Sequence, residues 1–383
     1  MAMKLRGNWF RAAPAQAICA ALTGAGHRVW FVGGCVRDDL LGMPVRDVDL
    51  TTDAHPDIVS ACARAAGLKP VPTGAAHGTV TVVADGIPHE VTTLREDVET
   101  FGRHARVVFG DDLGADARRR DFTMNALYAC PDGRVIDPLD GLADLRARRV
   151  RFIGDPACRI AEDYLRILRF FRFHAWYGDP AEDPDAQGLA AVAAQTDGLA
   201  RLSRERVGAE MRKLLSAPDP APAVAAMRAA GVLCAVLPGA DESALAVLVA
   251  LERQAGSPPD PIRRLAVLGG TGVTERLRLS RTEARRHADL QAATGSAMGP
   301  GELGYRLGRT LGRDTLLLRA AISGHGLPDG YAAALDRGAA ARCPVTARDL
   351  MPALQGPELG RRLRAIEERW IASDFTLTRD ELL

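Results

Sequence analysis

The sequence predicts an α+β domain built on a mixed sheet over residues 1–145, followed by an all-α remainder. Two observations carry this. Short apolar or alternating runs interleave with helix-like pieces in the first part. Strand-like runs then stop after about Asp144, and from Ala161 onward only helical periodicity remains, broken by loops such as Ala217-Pro-Asp-Pro-Ala-Pro222 and Gly256-Ser-Pro-Pro-Asp-Pro261. At 383 residues, 47% hydrophobic and 25% charged, the chain sits at the globular average, with length for roughly two to four domains.

Taken in order, Val29-Trp-Phe-Val32 reads as a buried strand ending at Gly33-Gly34, and Cys35 to Leu41 as a short helix stopped by Gly42. Val45 to Thr51 alternates, with Val48 and Leu50 on one face and Asp47 and Asp49 on the other. Thr79 to Ala84 and Ile87 to Arg95 flank Asp85-Gly86, a hairpin signal. Arg118-Arg119-Arg120-Asp121 precedes what reads as an apolar helix from Phe122, with Asp121 as its cap. Arg159 to Phe173 reads as one helix. Val345 to Leu350 and Gly356 to Trp370 read as a loop entering an amphipathic helix.

Composition narrows the classes. No run approaches the ~18–20 apolar residues of a membrane span, and Met1-Ala-Met-Lys-Leu-Arg leads into no apolar signal core. The expected location is cytoplasmic, with no membrane partner. Seven cysteines, scattered and without zinc spacing, predict reduced thiols, so metal chemistry falls to oxygen ligands. A net charge of +1, from 49 basic against 48 acidic residues, argues against a broadly basic nucleic-acid binder. The arginines nevertheless cluster at 118–120, 146–151 and 159–172, and again at Arg201, Arg204, Arg206 and Arg212 with Lys213. Phosphate contacts need local positive charge, so the expectation is a narrow track with weak affinity for bulk nucleic acid.

Asp47-Val48-Asp49 projects two carboxylates from one strand face, which suits Mg²⁺. The same pair also fits an exposed strand end. The preceding Val32-Gly33-Gly34-Cys35-Val36-Arg37-Asp38 favours the first reading, because a strand, two glycines and a helix start aim backbone N–H groups at a phosphate and Arg37 adds charge. Glu90, on the next hairpin, is either a third carboxylate of a two-metal site or a solvated strand position. Arg118 to Arg120 make sense against a bound anion, and Asp121 has the competing role of cap. Asp163, Arg166, Arg169 and Arg172 recur every third residue on one predicted helix face. A charge stripe is usually solvated, but these flanks are apolar, so the stripe reads as the wall of an enclosed cleft. An aspartate and an arginine there offer acceptor and donor edges to a base.

These segments resemble the class II nucleotidyltransferase family, which contains the CCA tRNA nucleotidyltransferases (CCA-adding enzymes) and the bacterial poly(A) polymerases. The resemblance lies in order and spacing over residues 28–175: Gly33-Gly34-x-x-Arg37-Asp38, Asp47-x-Asp49, Arg119-Arg120-Asp121-Phe122-Thr123-x-Asn125-Ala126, Asp137-Pro138-x-x-Gly141 and Glu162-Asp163-x-x-Arg166-x-x-Arg169-x-x-Arg172. A weaker echo, Glu205-Arg206 to Leu215, extends it.

The resemblance implies an α+β head domain carrying the nucleotidyltransferase mixed sheet (1–145), then all-α neck (146–215), body (216–300) and tail (301–383). It implies two Mg²⁺ ions at Asp47 and Asp49. ATP and CTP would be held by Gly33, Gly34 and Arg37 at the triphosphate and by Arg120 and Asp121 at the nucleotide. Asp163 and Arg166 would lie at the base edge, with Arg169 and Arg172 near triphosphate or primer. The partner would be tRNA, gripped at acceptor end and elbow, and the enzyme a monomer or homodimer. Residues 96–112, with Gly102-Arg103-His104-Ala105-Arg106, fall where the family has a loop tied to switching from C to A. Some relatives add a phosphohydrolase domain marked by a His-Asp pair; no histidine here is followed by aspartate, so that activity is not expected. A poly(A) polymerase shares every motif, and a fold retained for tRNA binding without chemistry is the reading from another class.

Overall fold

A computed structural model describes residues 3–101, 104–351 and 353–383. The chain divides into two compact units, one of Met1–Glu210 with Pro222–Val236 and one of Met211–Ala221 with Leu237–Leu383.

The first unit is organised by β1 (Val29–Val32), all four residues of which are buried. With β2 (Asp49–Thr52), β3 (Lys69–Gly74), β4 (Thr79–Ala84), β5 (Ile87–Thr93), β8 (Tyr128–Ala129) and β9 (Val135–Ile136) it forms a seven-stranded sheet of order β3-β4-β5-β2-β1-β8-β9. Only β2 and β5 run parallel; the other pairings are antiparallel, so the sheet is mixed. Asp85 and Gly86 both take positive φ, as a two-residue hairpin turn matched to strand twist requires. A separate hairpin joins β6 (Arg95–Phe101) and β7 (His104–Phe109). Gly102 and Arg103, and the side chains of 97–107, lie outside the described residues, so most of the expected switching segment has no side-chain account.

Around the sheet stand α1 (Ala13–Gly24), α2 (Gly34–Leu40), α3 (Pro56–Ala65), α4 (Leu113–Arg118) and α5 (Gly141–Arg146). Trp30, Val32, Leu94, Ala126, Tyr128 and Ile153 form a core cluster. The unit continues through α6 (Pro156–Glu162), α7 (Leu165–Tyr177), α8 (Ala186–Ala194) and the first turns of α9 (Arg204–Leu215). Asp155 and Asp185 cap α6 and α8 through their side chains, with Pro156 at the first position of α6.

Three expected elements are corrected. The strand expected from Val45 starts at Asp49, because β1 pairs back only as far as Phe31 with Leu50 and leaves earlier residues no ladder partner. The three arginines at 118–120 do not open a helix. They close α4, where cations suit the negative end of the helix dipole, and a single turn at Thr123–Asn125 follows. Asp163 is extended (φ −153°, ψ 106°) and breaks the helix expected to run from Arg159, accepting instead from the Leu165 backbone N–H at 3.1 Å.

Past α10 (Ala221–Ala229) and α11 (Val232–Val236) the second unit is helical: α12 (Leu245–Gln254), α13 (Pro261–Leu268), α14 (Val273–Arg276), α15 (Arg281–Thr294), α16 (Pro300–Ser323), α17 (Tyr331–Ala340), α18 (Ala347–Leu350), α19 (Gly356–Ala372) and α20 (Arg379–Leu382). A network of ion pairs is buried among its apolar residues. Arg263 and Arg264, 2% and 1% exposed, share the buried Glu252: Arg263 Nε donates to one carboxylate oxygen at 2.8 Å, Arg264 Nη2 to the other at 2.7 Å. Arg263 also reaches Asp314 at 2.7 Å, and Arg264 donates to the Leu215 carbonyl at 2.7 Å. Among the described residues no helix is long and apolar enough to cross a membrane.

Candidate active site

The glycine turn comes first. Gly33 sits at φ +74°, ψ −122°, a conformation open to residues without a Cβ, and it caps α2 directly after β1. A Cβ here would also meet the Arg120 guanidinium at 3.4 Å. The turn exposes the start of α2 to a cleft of about 430 Å³. Nine of the twelve expected site residues line it: Gly33, Gly34, Arg37, Asp49, Arg120, Asp121, Asp163, Arg166 and Arg169. Asp47, Glu90 and Arg172 do not. Five arginines and three aspartates face the cavity, so its net character is cationic.

Each arginine is already held. Arg37, 6% exposed, donates from Nε to Asp38 at 2.8 Å and from Nη1 to Asn125 Oδ1 at 2.6 Å. Arg120 Nη2 donates to the fully buried Asp116 at 3.0 Å, and the Tyr128 hydroxyl donates to the same carboxylate at 2.7 Å. Arg169 Nε donates to Asp121 at 2.7 Å; Asp121 also accepts from Asn125 Nδ2 at 2.9 Å. Burial alone would raise the Asp121 pKa, but Arg169, Asn125 and the Phe122 backbone N–H together outweigh it and hold the carboxyl down to about 2. Arg166 donates to Glu162 at 2.5 Å and to the Arg159 carbonyl at 2.6 Å. Arg206 of α9 donates to Asp163 at 2.6 Å, and Arg172 pairs with Glu210 at 2.6 Å.

The carboxylates behave differently. Asp49 opens β2, and its register partner on the parallel β5 is Glu90. Burial, then Glu90 and Asp47, push the Asp49 carboxyl up to about 6, against the pull of Arg120. Asp47 lies exposed just before the strand, and Glu90 is exposed. Among the described residues no group of three or more His, Cys, Asp or Glu side chains is gathered so that it could hold a metal ion. A mutually repelling carboxylate pair fits Mg²⁺ all the same, since that ion commonly takes one or two carboxylates and completes its shell with water and substrate phosphates.

Residue-type reasoning missed the partners. Asn125 stood inside the Arg119–Ala126 segment and Arg206 inside the Glu205-Arg206 echo, so both carried a signal. Phe173 closes the Glu162–Arg172 motif and had no role assigned; in the structure its ring lies 5.3 Å from the Arg37 and Arg169 guanidiniums and 4.5 Å from that of Arg172.

The poly(A) polymerase head-domain profile matches residues 29–151, and a profile described as the probable RNA- and SrmB-binding site of polymerase A matches 184–243. The Mus musculus mitochondrial CCA tRNA nucleotidyltransferase 1 is 44% identical over 191 residues, half of this chain and 44% of that one. The Limosilactobacillus fermentum CCA-adding enzyme is 39% identical over 204 residues, 53% of this chain and 49% of that one. The Bacillus stearothermophilus CCA-adding enzyme in complex with CTP superposes over 95% of this chain and 94% of its own, with a TM-score of 0.74 and 29% identity. Residues 29–151 of the chain thus match the poly(A) polymerase head domain, and the relatives and structures it resembles are CCA tRNA nucleotidyltransferases and CCA-adding enzymes. Its aligned sequence spans about half the length of the curated family members. The Thermotoga maritima CCA-adding enzyme complexed with tRNA shares the fold (TM-score 0.69, 18% identity, 98% of this chain and 93% of that one).

Proposed function

We propose that this chain is a CCA-adding tRNA nucleotidyltransferase, extending the tRNA 3′ end from CTP and ATP. The observation that carries the reading is the single cleft in which the glycine turn, an aspartate of the D-x-D pair and the Asp163–Arg166 edge meet. Gly33, Gly34 and Arg37 bind the triphosphate, the first two through backbone N–H groups at the α2 start. Arg120 and Asp121 position the nucleotide. Asp163 accepts from the base amino group and Arg166 donates to its ring edge, so the protein supplies the complementarity a template would. Asp47 and Asp49 would hold Mg²⁺, which when bound favours the deprotonated 3′-hydroxyl and offsets charge on the phosphates. Glu90 acts on Asp49 through its charge. The 3′-hydroxyl oxygen attacks the α-phosphorus, the bond to the bridging oxygen breaks and pyrophosphate leaves.

The finer partition into head (1–145), neck (146–215), body (216–300) and tail (301–383) belongs to the same proposal, with head and neck providing the cleft and the tail reaching the tRNA elbow. Cytoplasmic location, and activity as monomer or homodimer, complete it.

The test is incubation with tRNA ending at the discriminator base plus CTP and ATP. Growth by three nucleotides, with CMP twice and then AMP, is expected. Long tails from ATP alone on unrelated RNA would make it a poly(A) polymerase, and no pyrophosphate release would overturn catalysis altogether.

A further inference from the structure

We propose that Tyr177 is a positioning residue for Arg37, fixing the guanidinium at the triphosphate end of the cleft from the far end of the base-reading helix. The inference rests on the reading of Arg37 as a triphosphate ligand. Tyr177 is the last residue of α7, 140 positions from Arg37 in sequence. Its hydroxyl accepts from Arg37 Nη2 at 2.7 Å, and its ring lies under the same guanidinium, with Cζ 3.8 Å from the ring centroid. Asp38 and Asn125 hold Nε and Nη1. Asp38 also lies 2.7 Å from Nη2, so four contacts are made and the fifth N–H, on Nη1, is left for a phosphate while the plane itself is fixed. An unstacked arginine would spend rotamer freedom on meeting a ligand; this one has lost that freedom beforehand, which is preorganisation.

The placement also says what Tyr177 does not do. It is absent from the cleft lining, so it meets no base. Arg166, near the other end of α7, lines the cleft at the base-reading edge. One helix thus carries the base edge at its start and the support of the phosphate ligand at its end. Loss of Tyr177 should weaken the part common to CTP and ATP and leave the choice between them alone.

The experiment compares wild type, Tyr177→Phe, Tyr177→Leu, Arg37→Ala and the Tyr177→Phe/Arg37→Ala double variant. It measures inorganic tripolyphosphate binding by calorimetry, and KM and kcat for CTP and ATP. Tyr177→Phe keeps the ring and its volume, so the fold is retained and only the hydroxyl is lost. The expected result is a rise in the tripolyphosphate Kd and in both KM values of roughly three- to tenfold, the range of an ordinary lost hydrogen bond acting through Arg37. Tyr177→Leu should go further, the CTP:ATP preference should stay constant, and Tyr177→Phe should add nothing once Arg37 is alanine. Wild-type affinities in Tyr177→Phe, an equal increment in both backgrounds, or an altered CTP:ATP preference would each overturn the inference. Wild type that binds neither tripolyphosphate nor nucleotide overturns the site reading and this inference together.

Discussion

In the second unit, among the described residues, Glu252 is the carboxylate that two fully buried guanidiniums share. Glu252→Gln keeps the shape and removes the charge. Arg263 retains Asp314, but Arg264 is left with no counter-ion, only neutral acceptors: the Leu215 (2.7 Å) and Ala217 (2.5 Å) carbonyls and at most one amide oxygen. Removing one partner of a buried ion pair costs about 3–5 kcal/mol, because the charge left behind has neither water nor counter-ion. For a unit of this size each kcal/mol moves the melting midpoint by about 2–4 °C, so Tm should fall by roughly 6–20 °C. Urea titration followed by circular dichroism measures the loss directly. At 20 °C the surviving folded protein should bind CTP as wild type does, since the residues lining the cleft all belong to the other unit. A loss below about 1 kcal/mol would refute the claim that Glu252 neutralises both arginines.

Further outcomes concern the site. Asp49→Asn and Asp47→Asn should each lower the rate of CTP incorporation by at least a hundredfold, measured as pyrophosphate release. Asp49 has its folded pKa raised to about 6 from 3.8, so the folded form favours the proton. The stability it contributes is present at low pH and is lost as pH rises from about 4 to about 6. Mg²⁺ competes with that proton, so adding it should raise Tm more at pH 7.5 than at pH 5, read by differential scanning fluorimetry. Gly33→Ala places a Cβ at φ +74° and should destabilise by about 1–3 kcal/mol while raising the CTP KM. If Asp163 and Arg166 read the base edge, Asp163→Asn should relax the CTP/ATP choice more than it weakens tripolyphosphate binding; equal loss for all four nucleotides would refute that role.

Much of the cleft was legible because its signals are local. Gly33-Gly34 must turn a strand into a helix, and the hairpin at Asp85-Gly86 needs two positive φ values; each is written in two residues. The mixed sheet and the all-helical remainder follow from periodicity alone. What failed were inferences about ends and partners. A three-residue recurrence looks the same whether or not the helix is broken at Asp163, and the Asp163 side chain that starts α7 announces itself only through its bond to Leu165. Three arginines before an aspartate looked wrong for a helix start because they stand at a helix end. Arg263 and Arg264 have the composition of a solvated face, and only the return of Glu252 and Asp314 in three dimensions buries them. Tyr177 matters through its contact with the distant Arg37, which spacing cannot reveal.

Among the described residues every cation lining the cleft is a guanidinium: Arg37, Arg120, Arg166, Arg169 and Arg206. The chain's lysines are Lys4, Lys69 and Lys213 alone, none of them lining it. Guanidinium keeps its proton above a pH of about 12 and does not react as an amine. Acylating reagents, and the acetyl transfers that retune lysine-rich phosphate sites, therefore have no target here. The positive side of the cleft is fixed against proton loss and amine acylation, and its carboxylates are what protons or divalent ions can adjust.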